Sequence, residues 1–594
     1  MPHREDETVL KSSNMQNVPD RANATTNKAP EQKRLRLWPG VVIVALQWLA
    51  RFIVPIVVPE AVFWGVLGGL LGGLAVMVWW AFFSRAPRFE RWSAVILIVV
   101  VLIVTQLVVH ESMRLAPFVA FTIPVLSLGF VLWALSSRHL SSRPRRATMV
   151  MTIVFSCAVW ILIQTGGITS DFHSDFAWRW AQTPEQRLLA QAGDEPMVLT
   201  GPAATDTGAQ PDAHWPGFRG SDRNSIIPNV HIETDWSTSP PVELWRRPVG
   251  PGWSSFAVSG DLFYTQEQRG DDEIVACYKL TTGAPVWQHR DAARFWESNG
   301  GAGPRGTPTL SAGRIYTLGG TGIVNVLNAR DGTVVWSRNA ASDTQTKVPT
   351  WGFSGSPWVV DDIILVAATG SLIAYDLDTG KPRWFNTTGG NCYSSPHLLH
   401  SDGVTQVLLQ NEAGVSCVTA ADGTPLWEHP WPGTPIVQPA LCANGDILIS
   451  ASDRSGMRRL AVTQNPNGWT VQTRWTSRAL KPNFNDSVVH NGHVYGFNSR
   501  SLTCIDVENG QRKWKGGRYG GQLLLLADQD LLLVLSEKGE LVLVEAIPGQ
   551  FTERARFGAI KGKTWNHPVL VGDILLVRNA QEMAAFRLPL ADPI

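Results

Sequence analysis

Two patterns of hydrophobic residues divide the chain. Up to residue 166, apolar residues form five long runs, each of the length that a helix needs to cross a hydrocarbon layer about 30 Å thick. Beyond residue 215, short alternating apolar stretches are separated by turn residues, as in a β-domain. The pattern predicts five transmembrane helices followed by an all-β domain, with the helices at residues 41–58, 61–83, 93–109, 115–135 and 148–164.

The charges between the apolar runs predict the orientation of the helices. Basic residues precede the first run and fill the loops after the second and fourth runs: Lys33, Arg34, Arg36, Arg85, Arg88, Arg91, Arg138, Arg143, Arg145 and Arg146. The other two loops hold Glu60, and His110, Glu111 and Arg114. Because short basic loops stay in the cytoplasm, the N-terminus is expected there. The part after residue 166 is then expected in the periplasm of a bacterium, held by a multi-pass anchor in the inner membrane.

These patterns also give the expected domain boundaries. Residues 1–36 are polar and predict a disordered cytoplasmic tail, and residues 37–166 form the five-helix membrane domain. Residues 167–214 are expected to be a juxtamembrane segment and a flexible linker. Residues 215–594 are expected to be the β-domain.

One pattern repeats through the β-domain: a strand, a turn containing X-Gly, and a tryptophan four residues after the glycine. X-Gly between strands indicates a tight hairpin, because glycine readily adopts the positive φ that the turn requires. The aromatic residues at the ends of the repeats lie roughly 40 to 50 positions apart, a period typical of propeller blades. They predict eight blades, and they are Trp245, Trp287, Trp336, Trp384, Trp427, Trp475, Trp514 and Phe557.

The two ends of the β-domain predict how the ring closes. Residues 583–588 read as a last strand with no following partner, and residues 242–246 as a first strand with none before it. Pairing them would remove both free edges. The predicted fold class is therefore an α-helical membrane domain followed by an all-β, eight-bladed propeller.

Charge and cysteine content narrow the chemistry. With 51 basic and 50 acidic residues the net charge is +1, so we expect no nucleic-acid partner. The six cysteines include no CxxC pair, which argues against a zinc ribbon or a thioredoxin-type site. Cys277, Cys417 and Cys504 each lie ten residues before a repeat tryptophan. They are expected to be small buried core residues.

The stretch 374–384, with the sequence AYDLDTGKPRW, and the opening 215–220, with the sequence WPGFRG, resemble a known family. Both are similar to the pyrroloquinoline-quinone (PQQ) repeat propellers, over roughly residues 215–594. That family includes quinoprotein dehydrogenases and BamB-like proteins of the outer-membrane assembly machinery. Five helices before such a propeller also resemble the layout of membrane-bound quinoprotein glucose dehydrogenase. This resemblance implies PQQ and calcium as possible cofactors and electron transfer to the quinone pool.

In this family the first strand of each blade lines a central channel, so the residues just before it are expected around one mouth. A site for PQQ, a planar tricarboxylate, needs cations, a stacking face and oxygen ligands for calcium. Glu267, Gln268 and Arg269, in a polar hairpin, are expected to join the mouth. The candidate ligand-binding residues are Arg305, Tyr393, Asn485, Asp486, Trp565, Asn566, Trp253, Trp351, Glu267 and Arg269.

Three departures from the dehydrogenases leave catalysis open. The adjacent-cysteine pair of the alcohol dehydrogenases is missing, and the β-domain leaves little room for insertions between blades. No spacing assigns a calcium set or a catalytic aspartate, so the catalytic and metal residues remain unknown. The preferred hypothesis is a membrane-anchored module that binds or scaffolds an envelope protein, a peptide or a small molecule. The alternative is a PQQ-dependent dehydrogenase that passes electrons from a sugar or alcohol to the quinone pool.

Overall fold

A computed structural model describes residues 36–58, 61–169, 174–191, 214–387, 389–401, 403–452 and 455–591. It contains a bundle of apolar helices and an eight-bladed β-propeller, which confirms the predicted fold class. The predicted disordered tail falls on residues 1–35, and most of the predicted linker on residues 192–213. Both segments lie outside the described residues.

In the part of the chain that the structure describes, five helices are long and apolar enough to cross a membrane, in agreement with the hydropathy pattern. They are α1 (Trp38–Val57), α2 (Val62–Phe83), α3 (Arg88–Val108), α4 (Ala116–His139) and α5 (Ser142–Leu162). Glycines let α2 approach its neighbours closely. A Cβ added at Gly65 would lie 2.8 Å from the Ala50 carbonyl oxygen, and one at Gly73 would lie 2.2 Å from Ile123. The glycine-rich face of α2 therefore packs against α1 and α4.

A short juxtamembrane unit connects the bundle to the propeller. It consists of a hairpin of β1 (Ile163–Ile168) and β2 (Ser174–Trp178), and of α6 (Pro184–Gln191). Thr183 and Gln186 form a reciprocal cap at the start of α6, with distances of 3.1 and 2.9 Å. Glu185 then forms an ion pair of 2.8 Å with Arg294 of the propeller. The unit thus contacts the propeller directly.

Within the described residues, the propeller has eight sheets arranged in a ring, antiparallel apart from one short added strand, in agreement with the repeat count. Two strands precede the first complete blade: β3 (Ile226–Ile227) and β4 (Val242–Pro248). Blade 1 consists of β5 (Ala257–Ser259), β6 (Leu262–Arg269), β7 (Asp272–Lys279) and β8 (Pro285–Asp291), and blade 2 of β11 (Thr309–Ser311), β12 (Arg314–Leu318), β13 (Ile323–Asn328) and β14 (Val334–Asn339). Blade 3 consists of β15 (Trp358–Val360), β16 (Ile363–Ala368), β17 (Ser371–Asp376) and β18 (Pro382–Thr387), and blade 4 of β19 (His397–Ser401), β20 (Val404–Asn411), β21 (Gly414–Thr419) and β22 (Pro425–Pro430).

Blades 5 to 8 follow the same order. Blade 5 consists of β23 (Ala440–Leu441), β24 (Ile447–Ser452), β25 (Gly456–Asn465) and β26 (Gly468–Ser477), and blade 6 of β27 (Val488–His490), β28 (His493–Asn498), β29 (Ser501–Asp506) and β30 (Arg512–Arg518). Blade 7 contains β31 (Gln522–Leu526), β32 (Leu531–Leu535), β33 (Glu540–Glu545) and β34 (Glu553–Gly558), and blade 8 contains β35 (Val569–Val571), β36 (Ile574–Arg578) and β37 (Glu582–Arg587). A small hairpin of β9 (Trp296–Glu297) and β10 (Gly301–Ala302), and the helix α7 (Ala340–Asp343), lie in loops.

The ring closes as the sequence predicts. β4 pairs antiparallel with β37, with Val242 opposite Arg587 and Pro248 opposite Glu582. The first strand of the domain therefore completes the last blade, and neither strand keeps a free edge at this joint.

The repeat tryptophans join neighbouring blades. The indole N–H of Trp336 donates to the Leu377 carbonyl of the next blade at 3.0 Å, and a Cβ added at Gly380 would lie 2.5 Å from the same indole. Trp245, Trp287, Trp384, Trp475 and Trp514 make the same type of hydrogen bond, at 2.7 to 3.2 Å. Phe557, which has no N–H, packs edge-on against Phe586 instead. Where a turn glycine faces the indole, it supplies both the positive φ and the space for the ring.

The cysteines predicted to be core residues lie opposite these tryptophans. Cys277 pairs across the sheet with Trp287, Cys417 with Trp427 and Cys504 with Trp514. All three are buried and free, which confirms the prediction.

The segment 215–227 crosses one end of the central channel, and we call it the plug. Trp215 exchanges backbone hydrogen bonds with Val258 of blade 1, and β3 runs parallel to the inner strand of blade 7. Between these anchors, Arg219 and Arg223 adopt φ values of 64° and 51°, in the left-handed region. Both side chains are buried as a result of this turn.

The two plug arginines bind the ends of the inner strands. Arg223 donates through Nη1 to the carbonyls of Ser356 and Pro396 at 3.0 and 3.2 Å, and through Nη2 to Pro357. Its guanidinium lies 4.2 Å from the centroid of the Trp358 ring. One planar cation thus connects blades 3 and 4 at the axis.

Replacing Gly380 by alanine should destabilise the propeller more than replacing Gly492. Both glycines have φ near 70°, but a Cβ at Gly380 would collide with Trp336, whereas one at Gly492 would meet nothing within 4 Å. The strained φ should cost about 1 to 2 kcal/mol in both variants. The collision should cost about 1 to 3 kcal/mol more in Gly380→Ala. Calorimetric unfolding of the full chain measures the difference, and equal losses would contradict docking of the indole on the turn.

Replacing Arg223 by lysine should lower the free energy of unfolding by about 2 kcal/mol, because an ammonium cannot reproduce a planar fork that reaches carbonyls of two blades. Arg383→Lys is the matched control, because Arg383 is an exposed ion-pair residue of blade 3 and should change stability by less than about 1 kcal/mol. Denaturant titration of both variants gives the comparison. If Arg223→Lys lowers the free energy of unfolding no more than Arg383→Lys does, the plug contacts do not add the expected stability.

Candidate binding site at the proximal mouth

The central channel has two different ends. The loops that precede the inner strands form the end that faces the β1–β2 hairpin, and we call it the proximal mouth. A Cβ added at Gly167 of that hairpin region would lie 2.5 Å from the Asn299 carbonyl and 2.6 Å from Lys563 Nζ. The hairpin therefore covers one side of the proximal mouth. The plug lies on the other side of these loops, where it contacts Pro396 and Ser487 and lines a pocket with the inner strands of blades 3 to 6; we call that side the distal mouth.

Three aromatic rings form a contiguous cluster at the proximal mouth. The ring centroids of Trp253 and Trp565 lie 4.8 Å apart, and those of Phe484 and Trp565 lie 5.0 Å apart. Gln522 donates to the backbone carbonyls of Phe484 and Trp565 at 3.0 and 3.1 Å, which ties the loops of blades 6 and 8 together. We call Trp253, Phe484 and Trp565 the aromatic cluster. All three side chains are half-buried, so part of each ring faces outward.

Lys563 lies on the aromatic cluster. Its Nζ is 5.2 Å from the Trp253 centroid and 4.4 Å from the Trp565 centroid, and it donates to the Asn299 carbonyl at 2.8 Å. Burial lowers the pKa of Lys563 to about 8, against the raising effect of nearby acidic residues, of which Asp175 contributes most. The site therefore combines apolar faces with one cation.

Arg305 lies beside the aromatic cluster, but its hydrogen bonds are made within its own loop. It donates to the carbonyls of Ala302, Gly303 and Gly301 at 3.2, 2.7 and 2.9 Å, and it pairs with Glu297 at 3.3 Å. Burial lowers its pKa to about 10, and Glu297 opposes that effect. Arg305 fastens the β9–β10 hairpin that carries Asn299.

The remaining predicted mouth residues fall at two depths. Trp351 and Tyr393 form a second aromatic pair in the loops of blades 3 and 4, with centroids 4.8 Å apart. Asn485 and Asn566 lie deeper, fully buried, and donate to the carbonyls of Gly521 and Ser254 at 2.5 and 2.7 Å. The structure thus places the rings at the rim and the amides inside the channel wall.

Asp486 lies on the channel axis in a charged network. Its carboxylate accepts from the Gln438 amide at 2.7 Å, and it lies 3.3 Å from His567 and 3.8 Å from Arg219 of the plug. Burial raises the pKa of Asp486, but Arg219 and the hydrogen bonds outweigh it, so the net shift is downward. This predicted mouth residue is therefore part of the seal made by the plug.

Glu267 and Arg269 lie between blades, one layer behind the mouth. They form an ion pair of 2.8 Å and both contact the Tyr278 hydroxyl, and Glu267 also accepts from the Gly250 amide. Arg578 of blade 8 completes the network and donates to the Gly250 carbonyl at 3.0 Å. These groups hold blade 8 against blade 1, and the structure does not bring them to the aromatic cluster.

Several residues of the site were not among the predicted ones. Phe484 and Lys563 each lie one or two residues from a predicted position, so a wider window around each inner strand would have included them. Arg219 and Arg223 belong to the opening WPGFRGSDR segment, which the sequence offers only as a family resemblance. Nothing in their local pattern places them inside the channel.

The arrangement at the proximal mouth does not fit PQQ with calcium. Trp253 and Trp565 contact each other and leave no slot for a planar ring between them, and Arg305 is engaged by three carbonyls and Glu297. The carboxylate of Asp486 is shared by a backbone amide, the Arg219 guanidinium and the His567 ring. Within the described ranges, no group of three or more His, Cys, Asp or Glu side chains is placed to hold a metal ion.

Comparison with known proteins places the propeller among bacterial relatives. The chain is 22% identical over 338 residues to outer membrane protein assembly factor BamB of Shewanella oneidensis, covering 52% of this chain and 78% of that protein. It is 27% identical over 351 residues to BamB of Xanthomonas campestris pv. campestris, covering 49% and 84%.

Solved structures show a likeness in fold. The crystal structure of BamB from Moraxella catarrhalis aligns with a TM-score of 0.44 and 14% identity, over 60% of this chain and 99% of that one. The quinohemoprotein alcohol dehydrogenase from Comamonas testosteroni aligns with a TM-score of 0.48 and 12% identity, over 69% and 85%.

A family model described as outer membrane protein assembly factor BamB matches residues 237–396 and 320–552. The two matches overlap and together cover more than half of the chain, from just before β4 to blade 7. On that match, the chain belongs to the BamB family of PQQ-repeat propellers.

Proposed function

We propose that the protein is a binding or scaffold module of the bacterial envelope, anchored in the inner membrane with its propeller in the periplasm. Its partner is an envelope protein or peptide that docks at the proximal mouth. The observation that carries the proposal is the set of half-buried aromatic rings at this mouth, Trp253, Trp351, Phe484 and Trp565. Partly exposed aromatic residues around a shallow opening are typical of the anchors of protein interfaces.

The polar groups of the mouth support a docking role. Arg305, Asn485 and Asp486 are satisfied by the protein itself, so they shape the loops and present little free hydrogen-bonding capacity. The rings remain as the outward-facing groups, and Lys563, half-buried beside the hairpin, adds a cation at their edge. A surface with apolar faces and one cation suits a peptide that carries apolar and acidic side chains.

The position of the mouth also suits a partner close to the membrane. The β1–β2 hairpin covers the side near Asn299 and Lys563, whereas Trp351 and Tyr393 belong to the loops of blades 3 and 4. A partner would therefore enter between the membrane surface and those blades. The relatives are named as outer membrane protein assembly factors, which supports a protein partner for this chain as well.

The rival proposal is a PQQ-dependent dehydrogenase that delivers electrons to membrane quinone. It rests on the layout of five helices before a PQQ-repeat propeller. The contact between Trp253 and Trp565 and the hydrogen bonds of Arg305 within its own loop argue against this proposal, because a planar cofactor would have to displace them.

A photo-crosslinking residue placed at Trp351 in living cells should yield a discrete adduct with an envelope protein or peptide. The same residue at Phe385, which is 63% exposed on the outer strand of blade 3, is the control and should yield none. Trp565→Ala should weaken the Trp351 adduct by at least tenfold, because loss of an aromatic anchor costs about 2 kcal/mol or more. Equal labelling at both positions, or no adduct at Trp351, would contradict docking at the proximal mouth.

Adding PQQ and calcium to the purified full chain tests the rival directly. The scaffold proposal expects no stoichiometric binding and no dye reduction by sugars or alcohols. Binding of one PQQ per chain, with dye reduction that depends on the substrate, would refute it in favour of the dehydrogenase.

A further inference from the structure

A second cavity lies at the distal mouth, on the other side of the plug from the aromatic cluster. It has a volume of about 340 Å³ and opens between the plug and the inner strands of blades 3 to 6. The plug contributes Arg219, Asp222 and Arg223 to its lining. A cavity of this size accommodates a ligand of roughly one amino acid to a small drug fragment.

The floor of this distal pocket is cationic. Among the described residues, no carboxylate lies within ion-pair distance of Arg223, whose Nη atoms donate only to backbone carbonyls. Arg219 is partly balanced by Asp486 at 3.8 Å. Among the described residues, the hydrogen bonds of Arg219 run through Nε and Nη2, and those of Arg223 through Nη1 and Nη2. A buried cation without a counter-charge is costly, and an anion in the pocket would offset that cost.

His397 supplies an independent indication of a ligand. The side chain is only 3% exposed, lies against the edge of Trp358 with centroids 5.6 Å apart, and lines the pocket. Its Nδ1 is buried with no hydrogen-bond partner among the described residues. Burial, and then the positive charges of Arg219 and Arg223, lower the pKa of His397 to about 3, so the ring is neutral at physiological pH. A neutral ring beside two cations retains one unused hydrogen-bonding atom.

The walls of the pocket are apolar. Leu398, Ala440, Leu441 and Val488 line it from three neighbouring inner strands, and Leu441 is 38% exposed. Asp222 lies at the exposed edge on the plug side. An inorganic anion would leave these walls in contact with water, whereas a carboxylate that carries a short hydrocarbon body would cover them.

We propose that the distal pocket binds a small organic carboxylate with an apolar body of about leucine size. The carboxylate is directed at the plug arginines and His397, and the apolar body lies against Leu441 and Leu398. The ligand is either a free acid or the C-terminal residue of an extended peptide, since both present the same group. This inference does not rest on docking at the proximal mouth, because the plug separates the two sites.

Isothermal titration calorimetry of the purified full chain tests this proposal with three probes. N-acetyl-L-leucine should bind. N-acetyl-L-leucinamide should bind at least about tenfold more weakly, because it has no carboxylate to form charge-assisted hydrogen bonds. Acetate should also bind at least about tenfold more weakly, because it has no hydrocarbon body to bury against the walls. Equal binding of the amide, or no binding of N-acetyl-L-leucine, would overturn the proposal.

Two exposed positions locate the site without disturbing the plug. Leu441→Glu should weaken N-acetyl-L-leucine binding by about tenfold or more, and Asp222→Asn should strengthen it severalfold, because each changes the charge facing the carboxylate. Both variants should keep the melting temperature of the parent chain, which shows that they fold. Binding that neither substitution changes would place the carboxylate elsewhere and refute the assignment.

A pentapeptide ending in leucine distinguishes the two sources of the carboxylate. If the free peptide binds at least as tightly as N-acetyl-L-leucine and its amidated form does not, the ligand is a chain terminus. If only the single amino acid binds, the ligand is a free acid. Binding of both the free and the amidated peptide would overturn the role of the carboxylate.

Discussion

The ring depends on one contact made between blades: an indole packed on the turn between the third and fourth strands of its neighbour. The tryptophan N–H reaches a backbone carbonyl of the next blade, and in several joints its ring lies where a Cβ on the turn glycine would be. The glycine cannot be replaced by a larger residue without moving the indole, and the indole cannot move without opening the joint. Because a propeller blade contacts only its two neighbours, each such pair sets the angle between adjacent blades. The angles together determine that eight blades close.

Closure creates a second constraint, because eight inner strands leave an axis lined by backbone groups. Strand ends such as Ser356, Pro357 and Pro396 point carbonyls at that axis, and buried carbonyls need donors. A guanidinium offers five N–H groups in one plane, so a single arginine can satisfy carbonyls from two blades at once. The plug supplies two such arginines, Arg219 and Arg223, on a turn in which both residues have a left-handed backbone conformation. The segment before the first strand is therefore an internal part of the propeller, although it contributes only β3 to the blades.

The sequence predicts the elements that are local and repeated, and it misses contacts between distant segments. The apolar runs, the X-Gly turns and the unpaired terminal strands each carry their signal within a few residues, so the five helices, eight blades and closing strand follow from them. Lys563 reaches Asn299, and Arg223 reaches Pro396, only after the ring has formed. Glu267 and Arg269 were expected at the mouth as part of a polar hairpin. In a propeller both faces of a blade are covered by neighbours, so these polar residues are buried and paired with each other.

The plug also gives the two ends of the channel different chemistry. Arg219 reaches Asp486 and the Ser487 carbonyl from the distal side, and Asp486 in turn contacts His567. This chain of contacts lies between the two mouths. The proximal mouth therefore presents aromatic rings and a lysine, and the distal mouth presents guanidinium charge that is only partly balanced. Any coupling between the two sites would run through Arg219 with Asp486 and through Arg223 with the Ser356 and Pro396 carbonyls, because these contacts join the plug to the segments just before the inner strands.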